Sequence, residues 1–268
     1  DPMTYIPDLV AHADHTRLAR EVAEKSMVLI KNESAVLPFD KSAKKVLVIG
    51  HLAKQANTGD YGSSRIFSPY VVTPLEGIKQ YFGEKADILY CDETDVETAQ
   101  RLAADVDCVI IIAGCDFNDE GEHLLPDGDA PAATDLLFKG YRNQKMPLKA
   151  FAIKLLARFM IPSPSANNGV VGGDRDSLSL KPHDITLIQR VGRVNPNTAV
   201  VLVGGSAILT KEWDAHAPAI LYGWYAGMEG GNALARILFG DVNPSGKLPF
   251  SIPADENHLP YFSNSDRE

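Results

Sequence analysis

Residues 106–114 read VDCVIIIAG and give the strongest strand signal in the chain. A short β-branched run between an acidic residue and a glycine is typical of a strand that is buried on both faces of a parallel sheet. Similar runs predict strands at residues 44–50, 87–91, 198–205 and 219–224. Apolar residues at helical spacing predict helices at residues 14–31, 74–82, 96–104, 181–194 and 230–239. This alternation predicts an α/β fold with an open, mostly parallel sheet and helices on both faces.

The composition is that of an ordinary globular protein, since 45% of the 268 residues are hydrophobic and 23% are charged. This length fits one large domain, or one domain that carries a large insertion. The net charge of −9 gives no basic surface of the kind that binds nucleic acid. The three cysteines form neither a disulfide framework nor a metal-ligand pattern. No run of residues is long and apolar enough to span a membrane.

The first residues, Asp1-Pro2-Met3-Thr4, lack the basic and apolar regions of a signal peptide. Because the chain opens with Asp-Pro rather than Met, we expect it to be a fragment or a processed product of a longer protein. Its compartment is left open, and a periplasmic or secreted parent is retained as an alternative.

One long segment, at about residues 123–171, interrupts the alternation of strands and helices. A stretch of roughly fifty residues without a strand signal far exceeds the usual connection of a few residues, so it predicts an insertion. Residues 148–160 within it have the apolar and basic faces of an amphipathic helix. We expect this helix to pack on its own protein, with a membrane surface or a partner protein as the alternative.

Acidic residues follow the strongest predicted strand, and ligands of open α/β sheets bind at the carboxyl ends of the strands. The acidic residues are Asp116, Asp119, Glu120 and Glu122. Carboxylates this close raise one another's pKa, and a carboxyl group that stays protonated near neutrality can act as a general acid. A solvated acidic loop and a cation site of hard oxygen ligands remain as alternatives.

Three other site chemistries find no support in the sequence. The first predicted strand is followed by Gly50-His51-Leu52, which lacks the GxGxxG pattern of dinucleotide binding. A Walker A pattern for phosphate binding and a GxSxG pattern for a serine nucleophile are also missing.

Residues 224–249, WYAGMEGGNALARILFGDVNPSGKLP, are the most specific stretch of the chain. They closely resemble a segment of the second core domain of family 3 glycoside hydrolases of the β-glucosidase type, with Ala226 and Met228 as mild departures. Supporting matches run in the same order as in that family, at residues 24–32, 59–62, 73–78 and 173–180. The resemblance covers nearly the whole chain.

The resemblance implies a six-stranded α/β sandwich that follows a (β/α)8 barrel. Residues 1–35 are then the linker and leading helix from that barrel, and residues 36–268 are the sandwich domain. It also implies a retaining, exo-acting β-glycosidase that takes a β-linked glycoside and needs no cofactor or metal. In this family the nucleophilic aspartate belongs to the barrel, and the acid/base glutamate follows the third strand of the sandwich.

Registering the acidic loop from Gly114 places Glu122 on the acid/base, and Glu120 is the runner-up. The family usually continues from this glutamate into Gly-aromatic-Asp-Arg, whereas here the insertion separates Glu122 from Asp174 and Arg175, which we expect to pair with each other. The insertion is expected to roof the cleft. Further residues are expected to reach the substrate, namely Tyr61, Ser63, Ser64, Arg65 and His123.

Two other functions remain open. The first is a catalytically silent carbohydrate-binding or structural domain that shapes the aglycone site, and the second is a stand-alone flavodoxin-like module. An exposed apolar face would favour a domain that docks on a barrel, since a missing neighbour leaves such a face.

Overall fold

The computed structural model describes residues 9–59, 66–121, 175 and 177–259. These residues contain a six-stranded sheet, and its strands are β1 Val28–Asn32, β2 Lys45–Ile49, β3 Asp87–Cys91, β4 Cys108–Gly114, β5 Thr198–Val203 and β6 Ala219–Tyr222. The strand order is β1-β6-β5-β4-β2-β3. β1 runs antiparallel to β6, and all other neighbours are parallel. The predicted fold class, an open and mostly parallel six-stranded sheet, is confirmed.

Helices cover both faces of this sheet, and they are α1 Ala13–Ser26, α2 Pro74–Phe82, α3 Val96–Ala103, α4 Phe117–Glu120, α5 Pro182–Val194 and α6 Gly230–Leu238. Successive strand residues point to opposite faces, so each strand contributes to two cores. In β4, Ile110 and Ile112 pack in the core beneath α1, α2 and α6. Val109 and Ile111 pack in the core beneath α3 and α5. This double burial explains why the central strands β4 and β5 are apolar at nearly every position.

The first strand corrects one prediction. The helix predicted over residues 14–31 ends at Ser26, and Met27 already has an extended backbone. Residues 28–32 instead pair with β6 as an edge strand. The physical reason is that the run Val28-Leu29-Ile30 gains inter-strand hydrogen bonds at the sheet edge, which override its fit to the helical period. The domain boundary at residue 35 stays a prediction, although β1 lies within the sheet.

The position of the ligand crevice follows from the strand order. β2 lies between β3 and β4, so the chain crosses from one side of β2 to the other between these two strands. Loops that leave β2 and β4 at their carboxyl ends therefore diverge, which opens a crevice between them. Gly50 and Gly114 end these two strands with φ of 110° and 135°. A Cβ at Gly50 would lie 2.2 Å from the carbonyl oxygen of Ile112, so only glycine fits this close approach.

None of the helices in ranges 9–59, 66–121 and 177–259 has the length and apolarity needed to cross a membrane. Within the same part of the chain, no group of three or more His, Cys, Asp or Glu side chains is arranged to hold a metal ion.

Candidate active site at the carboxyl edge of the sheet

The acidic loop after β4 is folded into a capped turn. Asp116 is the N-cap of α4, and its Oδ1 accepts a hydrogen bond of 2.8 Å from the backbone of Asn118. Asp119 accepts in return from the backbone of Asp116, which completes a capping box. Asp116 is buried, so the alternative of a solvated loop does not hold for this residue.

Side chains of the loop after β2 bridge the crevice to this turn. Gln55 donates a hydrogen bond of 2.8 Å to Oδ2 of Asp116, and Asn57 donates one of 3.1 Å to the carbonyl oxygen of Cys115. The loops that follow β2 and β4 are therefore joined by hydrogen bonds from amide side chains.

Glu120, at the end of α4, is surrounded by hydrogen-bond donors. Its Oε1 lies 3.0 Å from Nε of Arg175 and accepts from the hydroxyl of Ser206 at 3.1 Å. Its Oε2 accepts from the backbone of Gly205 at 2.6 Å and from the hydroxyl of Tyr225 at 2.5 Å. Burial and the adjacent Glu120 raise the pKa of Tyr225, so this hydroxyl stays a donor.

Arg175 also binds the turn that follows β5, and this turn is in contact with the end of β6. Its Nη2 donates to the hydroxyl of Ser206 and, at 2.8 Å, to the carbonyl oxygen of Ala207. The hydroxyl of Tyr222, the last residue of β6, donates to the carbonyl oxygen of Ser206. Nη1 of Arg175 is buried and has no hydrogen-bond partner among the described residues.

We call the group Glu120, Arg175, Gly205, Ser206 and Tyr225 the carboxylate clasp. These five residues line an open cavity of about 280 Å³. The clasp lies where β4, β5 and β6 end, at the same edge of the sheet as the crevice.

Two further carboxyl groups, those of Glu93 and Asp184, are buried near the carboxyl ends of β2 and β3. Nδ1 of His51 is 2.5 Å from Oε1 of Glu93, and the backbone of His51 donates to Oε2 at 2.6 Å. Asp184, in the first turn of α5, is buried as well. Burial is the main cause that raises the pKa of Asp184 to about 6.

Most of the predicted site residues lie outside the described part of the chain, and their roles stay predictions. They are Glu122, the acid/base, and the substrate-binding residues Tyr61, Ser63, Ser64, Arg65 and His123. Glu120, the runner-up, is described and belongs to the clasp. The expected partner of Arg175, Asp174, also lies outside the described residues, whereas Arg175 pairs with Glu120.

Sequence reasoning missed several members of the clasp. Gly204-Gly205-Ser206 fits only a strand-end turn by its pattern, and Tyr225 belongs to a stretch that was used for its resemblance alone. The one available signal was the Asp-Arg pair that the insertion separates from the acidic loop. The chain keeps Arg175 although the insertion separates it in sequence from the acidic loop, which suggests that its partner lies in that loop.

The described geometry agrees with what comparison with known proteins finds. The family model described as "Glycosyl hydrolase family 3 C-terminal domain" matches residues 27–268. The "Thermostable beta-glucosidase B" of Acetivibrio thermocellus is 30% identical over 260 residues, which cover 93% of this chain and 28% of that protein. The "Periplasmic beta-glucosidase" of Salmonella typhimurium is 32% identical over 255 residues, which cover 93% of this chain and 30% of that protein.

Solved structures give the same result. The β-glucosidase of Bifidobacterium adolescentis, described as a GH3 enzyme, superposes with a TM-score of 0.67 at 26% identity, covering 96% of this chain and 31% of that chain. A β-glucosidase from Erythrobacter marinus superposes with a TM-score of 0.72, also at 26% identity, covering 95% and 32% of the two chains. This chain thus spans about 30% of the length of the curated relatives that it matches. It belongs to glycoside hydrolase family 3, as the C-terminal domain of that family.

Proposed function

We propose that this domain supplies the general acid/base, Glu122, of a retaining, exo-acting β-glycosidase, and that a preceding (β/α)8 barrel completes the active site. The observation that carries the proposal is the state of the other candidate, Glu120. A general acid must hold a proton and turn it towards the leaving oxygen. Glu120 accepts from Gly205, Ser206 and Tyr225 and pairs with Arg175, so all of its described partners are donors.

The chemistry of such a site needs two carboxyl groups. In a retaining glycosidase they lie roughly 5–5.5 Å apart, one as nucleophile and one as acid/base. While the nucleophile is charged, its repulsion favours the protonated form of its neighbour. Formation of the glycosyl ester removes that charge, and the neighbour then deprotonates the attacking water. One carboxyl group on each domain satisfies this cycle, because closing the two domains on a substrate brings the pair together.

An exposed apolar surface supports the docking of a second domain. On α1, Leu18 and Val22 are one turn apart and are 57% and 59% exposed. Phe67 and Tyr70, in the segment before α2, are exposed too, and Tyr70 contacts Thr16 of α1. Apolar side chains grouped in this way mark an interaction surface. They favour a barrel-docking domain over the stand-alone module.

The test compares the complete two-domain enzyme with its Glu122→Gln variant on p-nitrophenyl β-glucoside. We expect kcat to fall by about 10²–10⁴-fold, which is the usual contribution of general acid–base catalysis. Azide should restore turnover and yield a β-glycosyl azide, since azide attacks the anomeric carbon without a general base. This chain alone should show no hydrolysis, because it lacks the nucleophile.

Glu120→Gln in the same enzyme is the matched comparison, and it should lose less activity than Glu122→Gln, because Glu122 still carries the proton to be transferred. Full activity of Glu122→Gln would overturn the assignment and return the role to Glu120. Hydrolysis by this chain alone would refute the shared site.

A further inference from the structure

We infer that Glu120 and Arg175 are positioning residues that hold the acid/base in place. They do so by pairing with each other, because Glu120 lies two positions before Glu122 in the chain. This role rests on the proposed function, since it assumes that Glu122 is the proton donor. Residues 121–174 separate the two partners in the chain, and the ion pair brings Oε1 of Glu120 within 3.0 Å of Nε of Arg175.

Glu120, one member of the ion pair, lies close in the chain to the predicted acid/base. Glu120 precedes Glu122 by two positions, and only Gly121 lies between them. Gly121 is buried, and its backbone donates a hydrogen bond of 3.0 Å to the carbonyl oxygen of Phe117. The backbone is therefore fixed by α4 as far as Gly121, and the clasp fixes the side chain of Glu120.

The ion pair of Glu120 and Arg175 has little freedom to move. Side-chain exposure is 12% for Glu120 and 9% for Arg175, and the carboxylate touches residues that follow both β5 and β6. A Cβ at Gly205 would lie 3.3 Å from Oε2 of Glu120 and 3.4 Å from the ring of Tyr225. The clasp thus leaves only enough room for the carboxylate to reach the backbone.

A positioning role has a kinetic signature that a purely structural ion pair lacks. Misplacing a reacting group by about 1 Å can cost roughly 10²-fold in the step that uses it. Proton donation matters for poor leaving groups and little for good ones. Loosening the ion pair of Glu120 and Arg175 should therefore slow hydrolysis in proportion to the basicity of the leaving group.

The experiment measures kcat/KM of the complete two-domain enzyme for phenyl and 2,4-dinitrophenyl β-glucosides. For Arg175→Met we expect about a 10–100-fold loss on the phenyl glucoside and less than about a threefold loss on the dinitrophenyl glucoside. Arg175→Lys keeps the charge without the guanidinium fork, so its loss on the phenyl glucoside should be smaller. Arg175→Lys also serves if Arg175→Met does not fold, as judged by circular dichroism.

Arg236→Met is the matched control, because it removes one of the two arginine partners of the buried Glu24, which also pairs with Arg20. Nε of Arg236 lies 2.7 Å from Oε1 of Glu24, and this pair joins α6 to α1. We expect this variant to leave the ratio of the two substrates unchanged. An equal loss on both substrates in the Arg175 variants, or no loss, would overturn the positioning role.

Glu122→Gln separates this outcome from failure of the proposed function. If Glu122→Gln loses activity and azide restores it, while the Arg175 variants keep the ratio of the unaltered enzyme, the positioning role fails and the function stands. If Glu122→Gln is fully active, the function fails and the positioning role falls with it.

Discussion

Glu120 and Asp184 are two carboxyl groups at the same edge of the sheet with side chains only 12% and 7% exposed, and their surroundings differ. Glu120 accepts from three hydrogen-bond donors and pairs with Arg175. Asp184 is 7% exposed, and its described ion-pair partner is the ring of His183 at 3.5 Å, which is charged only when protonated. Burial, opposed by His183 and assisted by the charge of Glu93, raises the pKa of Asp184 to about 6.

The comparison shows that carboxyl groups of similar exposure can differ in the donors that surround them. Taking a carboxylate out of water costs several kcal/mol, and matched donors must offset that cost. The clasp supplies such donors beside the predicted acid/base. The start of α5 supplies fewer, so a proton on Asp184 offsets part of the cost near pH 6 and below.

The largest expected effect comes from removing the cation of the clasp. Arg175→Met leaves Glu120 buried without its ion-pair partner, and breaking a buried pair in this way costs about 3–5 kcal/mol. The free energy of unfolding by urea at pH 7 measures the loss. Lys45→Met, which removes an exposed partner of Asp105, is the control and should leave the free energy of unfolding nearly unchanged. An equally small change in Arg175→Met would mean that the remaining donors suffice for Glu120.

Asp184→Asn should reveal the opposite situation through pH. Between the ordinary pKa of 3.8 and the folded value of about 6, the folded state holds a proton that the unfolded state has released, so stability falls as the pH rises. A shift of this size corresponds to about 3 kcal/mol. Asp184→Asn should therefore gain about 2 kcal/mol relative to the unaltered chain between pH 4 and pH 8, because the unfolded chain has already released part of this proton at pH 4. A stability difference that stays constant over this range would refute the assignment to Asp184.

The smallest effect concerns a single donor of the clasp. Tyr225→Phe removes the hydroxyl that donates to Oε2 of Glu120, and losing a hydrogen bond to a buried charged group costs about 2 kcal/mol. Tyr81→Phe is the matched control, because the hydroxyl of Tyr81 donates to Asp241 in an exposed contact of 3.2 Å. We expect this control to change stability by less than about 0.5 kcal/mol. Equal losses in the two variants would mean that burial of the clasp adds nothing.

Local sequence patterns were sufficient for the parallel part of the sheet. Every residue of β4 and β5 is buried, and such strands read as continuous apolar runs between turn residues. The start of α2 was also readable, since Thr73 and Glu76 form a capping box and Pro74 takes the first helical position. Each of these signals depends on neighbours in the chain, and none requires knowledge of a distant partner.

The edge strand and the clasp required the tertiary structure. Residues 28–32 fit a helical pattern by themselves, and pairing with β6, which is distant in sequence, makes them a strand. Arg175 was expected to pair with its neighbour, whereas the fold brings it to Glu120 across the long segment. The sequence by itself thus determined the parallel part of the sheet, the family and the acidic loop, because hydrophobic period and local motifs encode them. Only the tertiary structure decided which carboxyl group is paired with an arginine and hydrogen-bond donors. Contacts between residues that are distant in sequence set the donors and the burial of each carboxyl group.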